Sequence, residues 1–467
     1  MSEQNGHIPT ELGTQPVGSL LWRYALPSII AMVASSLYNN VDRIFIGHGV
    51  GPDAISGLAS TLPFMNLSAA FGAMIGVGAS AIISIRLGQK DYRTAQRVLG
   101  NTVVFNLIVG LVFTLACLPF LDKILLLFGA SMNTLPYARD YMEVILLGNL
   151  ISHSYFGLNA VLRAAGHPRE AMYCTILTVV CNTLLDPVFI YTLHMGIRGA
   201  AIATILSQSI ALVWQIRLFA NPREVLHLTG LRSCGTAPSI YRPDLRIARQ
   251  IFSIGASPFL MNCCACMVVL LINMQIRTYG EMLDVPNGGD MAIAAYGIIN
   301  SLIFFFLMTV MGFNQGMQPI VGYNWGARLN HRVWQCLGIT IVCATCVTTL
   351  GCIVCELFPE QLSRLFTSDP TIIMFAKRGF RICVMVFPVV GAQMVIGNFF
   401  QSIGHAGKSI FLSLTRQLIF LIPFLFILPR RFQLDGVWFS LPASDAISCF
   451  VAVGMLWYVI RKIQAQP

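Results

Sequence analysis

The chain has 467 residues, of which 56% are hydrophobic and only 11% charged, with a mean hydropathy of +0.71 and a formal charge of +10. That composition excludes a soluble globular fold and points to an all-α polytopic membrane protein. In so apolar a chain the positive balance reflects membrane topology rather than nucleic-acid binding, and the 14 cysteines read as small membrane-embedded hydrophobes, Cys263, Cys264 and Cys266 within one apolar run.

The chain opens on a polar stretch, Met1 to Gly18, that carries Glu3 and Glu11 but no basic cluster. A cleaved signal is therefore not expected, and the N-terminus is expected in the cytoplasm. Apolar runs then predict about twelve spans, near 22–44, 54–84, 98–120, 138–161, 171–192, 199–219, 250–277, 291–322, 333–357, 372–401, 409–429 and 436–460. With the N-terminus inside, the cytoplasmic segments hold about 19 of the 30 Lys and Arg and about 6 of the 20 acids. Both termini are thus expected in the cytoplasm. The opposite side is acidic, at Glu281 to Asp290 and Glu356 to Glu360.

The longest polar connection, about 221–246, contains Pro222, Pro238 and Pro243 with Arg223, Arg232, Arg242 and Arg246. It reads as a linker between two halves. An internal repeat supports the division: Gly326 minus Gly88, Gly338 minus Gly100 and Gly404 minus Gly166 all give 238. The expected domains are a tail at 1–20, an amino-terminal lobe at 21–220, the linker at 221–246, a carboxy-terminal lobe at 247–462 and a tail at 463–467. Each lobe is a six-helix bundle, and two such bundles around a central cleft are a common transporter plan.

Two acids interrupt otherwise apolar spans. In span one, Tyr38 and Asp42 stand at i and i+4 with Asn39 three residues before Asp42, so a phenol, an amide and a carboxylate share one stripe. In span five, Asn182 and Asp186 are likewise one turn apart, and Pro187 cannot donate to the Thr183 carbonyl. A carboxylate at membrane depth is costly, so such residues face a protein interior and mark an ion or substrate path. Asp42 has the competing option of pairing with a cation near the interface, Arg43 being its neighbour. Pro27 frees the Arg23 carbonyl and should let the first span bend. Met65, Phe64, Met261, Phe304, Phe305 and Met308 are, with Asn39, candidates to line a substrate cavity, since thioethers adapt to varied apolar shapes and ring faces attract cations.

Leu-Tyr-Asn-x-x-Asp ending at Asp42, Leu-Gly-Gln-Lys-x-x-x-x-Ala from Leu87, Arg-Ala-Ala-Gly-His-Pro from Arg163 and Asn-x-x-x-Asp-Pro from Asn182 together resemble the multidrug and toxic compound extrusion (MATE) family, its DinF-like and MepA-like members most. The likeness spans about Leu20 to Lys462. It implies a V-shaped pair of bundles that exports organic cations or amphipathic drugs in exchange for inward H⁺ or Na⁺, with no cofactor. It also implies a cation site from Asp42, Tyr38, Asn182, Asp186 and Thr204, with Na⁺, if that is the ion, held by Asp42, Asn182, Asp186 and Thr204. NorM-type members carry acids in spans seven and ten, whereas here Phe259 to Ile276 and Ile382 to Phe400 have none, which places coupling in the amino-terminal lobe. The expected setting is a bacterial cytoplasmic membrane and the expected form a monomer. A lipid-linked precursor or polysaccharide flippase is the alternative on a related plan. A membrane-embedded enzyme lacks its constellation, since none of the 8 His falls in an HExxH motif. A passive channel is separable by counterflow.

Overall fold

The structure is a computed structural model that describes residues 10–228, 240–283 and 285–464, without the side chains of 38–40, 43, 44, 47, 48, 52, 53, 55, 463 and 464. Its secondary structure is helical. The first half comprises α1 (Val17–Gly49), α2 (Pro52–Gly88), α3 (Tyr92–Cys117), α4 (Leu135–Leu147), α5 (Asn149–Ala164), α6 (Pro168–Pro187) and α7 (Gly196–Phe219). The second comprises α8 (Leu245–Gly280), α9 (Gly288–Gly326), α10 (Asn330–Leu357), α11 (Pro370–Cys383), α12 (Phe387–Ser402), α13 (Ala406–Leu414), α14 (Ile422–Ile427) and α15 (Pro429–Gln464).

Among the described residues ten helical stretches are long and apolar enough to cross a membrane, or twelve when each of two bent pairs counts as one span. Helices dominate because hydrocarbon offers no partner to a free N–H or carbonyl, so each segment must satisfy its own backbone. The outward faces stay apolar: Leu107, Ile108, Leu111, Val112 and Leu115 form an exposed stripe along α3, a surface fit for lipid. No described cysteine is disulfide-bonded, although Cys343 and Cys346, and Cys352 and Cys355, recur at Cys-x-x-Cys spacing.

The predicted fourth and tenth spans are each two helices. The α4–α5 pair bends by 58° at Gly148, and the α11–α12 pair bends by 57° between Cys383 and Phe387. A break at that depth frees carbonyls, and the first is repaired from a neighbour: the Thr114 hydroxyl of α3 donates to the Leu146 carbonyl at 2.6 Å. Thr114→Val removes that donor and leaves a buried acceptor bare, so a loss of about 1–3 kcal/mol is expected. A lowered thermal midpoint of the detergent-purified protein measures it, and an unchanged midpoint would show that the carbonyl does not need this partner.

The repeat read from the sequence recurs in the backbone. Lys90 and Arg328, 238 residues apart, have φ of 60° and 59°, and Gly166 and Gly404, at the same offset, have φ of 99° and 78°. Gly88 and Gly326 also reciprocate. A Cβ on Gly88 would stand 1.9 Å from the Tyr323 carbonyl oxygen, and one on Gly326 would stand 2.0 Å from that of Ile85, the residue equivalent to Tyr323. Only glycine permits so close an approach.

By packing, the chain forms two compact units whose limits differ from the expected lobes. The first runs to Phe259 and adds Gln315–Val333 and Ser402–Ala406; the second holds Leu260–Asn314, Trp334–Gln401 and the chain from Gly407. Each has its own core, one around Phe64, Phe113, Tyr141 and Met142, the other around Phe380, Phe387, Val437 and Trp438.

The described residues of the amino-terminal segment, from Thr10, pack within the first unit. Leu12 is fully buried, and its carbonyl accepts from Asn324 Nδ2 at 2.9 Å and from Arg332 at 3.2 Å. The described ends of the linker are docked as well: Asn101 on α3 donates to the carbonyls of Ile240 and Arg242 and accepts from the Asp244 N–H, while Arg97 pairs with Asp244 at 2.8 Å. The N–H of Arg246, with the Ile247 N–H and Arg97 adding to it, holds the Asp244 carboxyl below the usual carboxylate range. Gly100 of the Leu-Gly pair is where the Ile240 carbonyl passes; its counterpart Gly338 faces open space.

Candidate functional site

Three helices of the first unit bring polar groups into one buried patch. α6 packs along both α1 and α7. Its one-turn pair, Asn182 and Asp186, is 1% and 0% exposed, with Thr204 of α7 on one side and Asp42 of α1 on the other.

The hydrogen bonds orient the patch. Thr204 donates to the Ala200 carbonyl at 3.1 Å, so its hydroxyl oxygen is left to accept from Asn182 Nδ2, at 3.2 Å. The same amide donates to Asp186 Oδ1 at 3.3 Å. Both amide protons are thereby spent, and the oxygens Asn182 Oδ1 and Asp186 Oδ2 are buried without a donor. Asp42 lies within hydrogen-bond reach of the Asp186 carboxyl. Two carboxyls this close repel each other when both are charged, so a proton or a cation between them relieves the pair. The patch is rich in acceptors and short of positive charge, and what it can do is hold a proton or a small hard cation.

Pro187 shapes the end of α6. The helix passes at once into a π-helical turn, Val188–Thr192, the local form in which a lost i→i−4 bond is absorbed. In α1 the helix runs on through Pro27, and the Ser28 hydroxyl donates to the Tyr24 carbonyl at 3.0 Å. The side chains of Tyr38, Asn39 and Arg43 lie outside the described residues.

Of the proposed cavity residues, Phe64 and Met65 lie in the first unit. Phe64 is buried in the core of the first unit, its ring centroid 5.7 Å from that of Phe113 and 6.2 Å from that of Phe128. Met65 is half-buried against the same core. Met261, Phe304, Phe305 and Met308 belong to the second unit, where Phe304 and Phe305 are each 48% exposed.

Sequence reasoning passed over an acid and a base in the second unit. Asp445 stands inside the twelfth predicted span, and Arg416 lies within the stretch Ala406–Ile427 that crosses as the eleventh. The two pair at 2.7 Å, and the Ser444 hydroxyl donates to the Arg416 carbonyl. The signal that exposed Asp42 and Asp186, an acid in an apolar run, was equally present at Asp445. Among the described residues no group of three His, Cys, Asp or Glu is placed to hold a metal.

Comparison with known proteins agrees with this architecture. The MatE family model matches the chain twice, over residues 27–188 and 265–427. The chain is 28% identical to the multidrug export protein MepA of Staphylococcus haemolyticus (strain JCSC1435), over 95% of this chain and 94% of that protein. It is 27% identical to MepA of Staphylococcus aureus (strain NCTC 8325 / PS 47), over 96% and 94%. Among solved structures, the MATE multidrug transporter DinF-BH in complex with R6G superposes with a TM-score of 0.86 at 33% identity, covering 98% of each chain. An outward-facing MATE family multidrug resistance transporter of the MOP superfamily gives a TM-score of 0.86 at 25% identity, covering 97% of each.

Proposed function

Since the chain belongs to the MatE family, and so is a multi-pass transporter rather than an enzyme, we propose that it exports organic cations or amphipathic drugs in exchange for inward H⁺ or Na⁺. The observation that carries this reading is the patch of Asp42, Asn182, Asp186 and Thr204, buried in the first unit with acceptor oxygens left over. The two MepA relatives are multidrug export proteins.

In the proposed cycle the ion enters from outside and binds between Asp42 and Asp186. Thr204 holds Asn182, and Asn182 holds Asp186, so the carboxyl is presented in one orientation. A ligand shifts a conformational equilibrium only by binding the two states differently. Neutralising the carboxyls does this, because it removes the penalty for closing apolar helices over charge. An entering monovalent cation contributes about 2.3 kcal/mol per 100 mV of membrane potential. Drug leaves as the ion binds, and Phe304, Phe305, Met308 and Met261 supply adaptable apolar surface for varied cargo. The setting is a bacterial cytoplasmic membrane, with both termini and the basic loops in the cytoplasm, and the working form is a monomer.

Counterflow in proteoliposomes tests this. Drug preloaded on one side should exchange without any gradient, and an imposed pH or Na⁺ step should drive it uphill; whichever step does so identifies the ion. Dissipation of the drug gradient with no counterflow, the behaviour of a channel, would overturn the proposal.

A further inference from the structure

The bend at Gly148 is lined by polar side chains that the cation patch does not use. His153 of α5 is fully buried, as are Asn149 one turn before it and Ser68 of α2, which are 1% and 3% exposed. The Ser68 hydroxyl donates to Asn149 Oδ1 at 2.9 Å and lies 3.4 Å from His153 Nε2. A hydroxyl has one hydrogen, and here Asn149 receives it. Towards the imidazole Ser68 therefore accepts, so Nε2 carries the ring proton and Nδ1 the bare lone pair. Nδ1 has no partner, nor has Asn149 Nδ2. Each such buried orphan costs about 1–3 kcal/mol.

The molecule contains its own control. At the repeat offset of 238, Ser68, Asn149 and His153 correspond to Phe306, Phe387 and Gly391. There the second bend is filled by the rings of Phe306 and Phe387, edge to face at 6.5 Å. A bend of nearly the same angle thus carries phenyl rings where the first carries Ser68 and Asn149, its Val384 and Pro388 carbonyls being met by Cys352 and Thr348, so Ser68, Asn149 and His153 are not a requirement of the bend.

The imidazole faces neutral groups from every described side. α2 presents Ser68 and the bare backbone of Gly72, and α3 presents the Phe113 ring, 6.5 Å away. From α7, Gln208 accepts from Ser152 at 2.5 Å. Several ionisable groups of these elements are engaged elsewhere: Tyr155 with Thr175 and Thr178 of α6, Arg163 with Asn159, Arg86 with Asp91, Arg97 with Asp244, and Arg198 with Asp140 and Glu143. One thread leads out. Gln208 stands one turn of α7 beyond Thr204, which accepts from Asn182, which donates to Asp186.

We propose that His153 is a second proton-binding site of the first unit, its Nδ1 taking up a proton in electrostatic linkage with the carboxyls of Asp42 and Asp186. When those carboxyls give up their proton or ion, the charge left on them favours an imidazolium at the bend; when they are neutralised again, Nδ1 releases its proton. The linkage rests on the antiport reading above, whereas proton binding at Nδ1 does not.

The test is ¹⁵N NMR of full-length, histidine-labelled protein in lipid nanodiscs. H153Q and H153F each identify the signal by its loss, so one poorly folding variant does not block the assignment. As the pH is lowered from about 9 to about 4, a bare Nδ1 beside a protonated Nε2 should convert to imidazolium. In D186N the conversion should move to lower pH, because one of the two carboxylates that favour the charged ring is gone. A ring that stays neutral throughout, or a conversion unmoved by D186N, overturns the proposal. Ion-driven transport of the wild type is measured in parallel. If that transport is absent while His153 titrates, it is the antiport reading that fails.

Discussion

Asp186→Asn abolishes ion-driven efflux, and drug resistance falls to that of cells without the protein. The replacement keeps nearly the same shape, and its carbonyl oxygen still accepts from the Asn182 amide that now reaches Asp186 Oδ1 at 3.3 Å. What it removes is the charge that an ion must neutralise. With Asp186 fully buried and Asp42 against it, the variant keeps a single carboxyl where the pair stood, so an ion no longer has the two-acid site to bind between and no longer distinguishes one conformation from the other. Asp42→Asn should behave alike. The measurements are resistance, membrane content and uphill drug movement under an imposed pH or Na⁺ step. Wild-type-like efflux from either variant, with normal protein in the membrane, would remove these carboxyls from the mechanism.

Arg416→Leu is expected to destabilise the second unit by less than the roughly 3–5 kcal/mol that breaking a fully buried ion pair costs, because the two side chains are 25% and 14% exposed. Asp445 is only 14% exposed and is met by Arg416 Nε at 2.7 Å, with both residues in membrane-spanning stretches. Removing both charges, as Arg416→Leu with Asp445→Leu, should recover most of the loss, since the penalty belongs to the unpaired charge and not to the missing attraction. Thermal unfolding in detergent and the amount of protein in the membrane report both variants. A double variant as unstable as the single one would show that the pair does more than neutralise itself.

The two experiments treat opposite uses of an intramembrane acid. Asp445 is matched by a permanent cation within its own unit, so no exchangeable ion is needed to balance it. Asp186 has an amide on one oxygen and no donor on the other. The difference lies in the partner and not in the residue type.

Much of this was legible before any coordinate. Spans were legible because hydrocarbon admits only segments that close their own hydrogen bonds, which leaves long apolar runs in the chain. The two halves were legible because Gly88 and Gly326, and Gly166 and Gly404, keep one offset, and the backbone gives each pair a reason: a carbonyl that passes where a Cβ would stand, or a positive φ. The candidate residues Asp186 and Asn182 were legible as a one-turn pair in an apolar segment.

The sequence by itself determined the number of spans, the repeat and the short list of polar residues. It did not determine which way any span is turned about its axis. A helix in water shows its buried face by contrast with its polar one, but lipid is as apolar as a protein core, and along α3 the exposed Leu111 and Val112 are as apolar as the buried Phe113. Only packing decided that Asp42 meets Asp186, that Phe64 is turned into a core, that Arg416 closes on Asp445, and that the fourth span bends at Gly148 and sets His153 against Ser68.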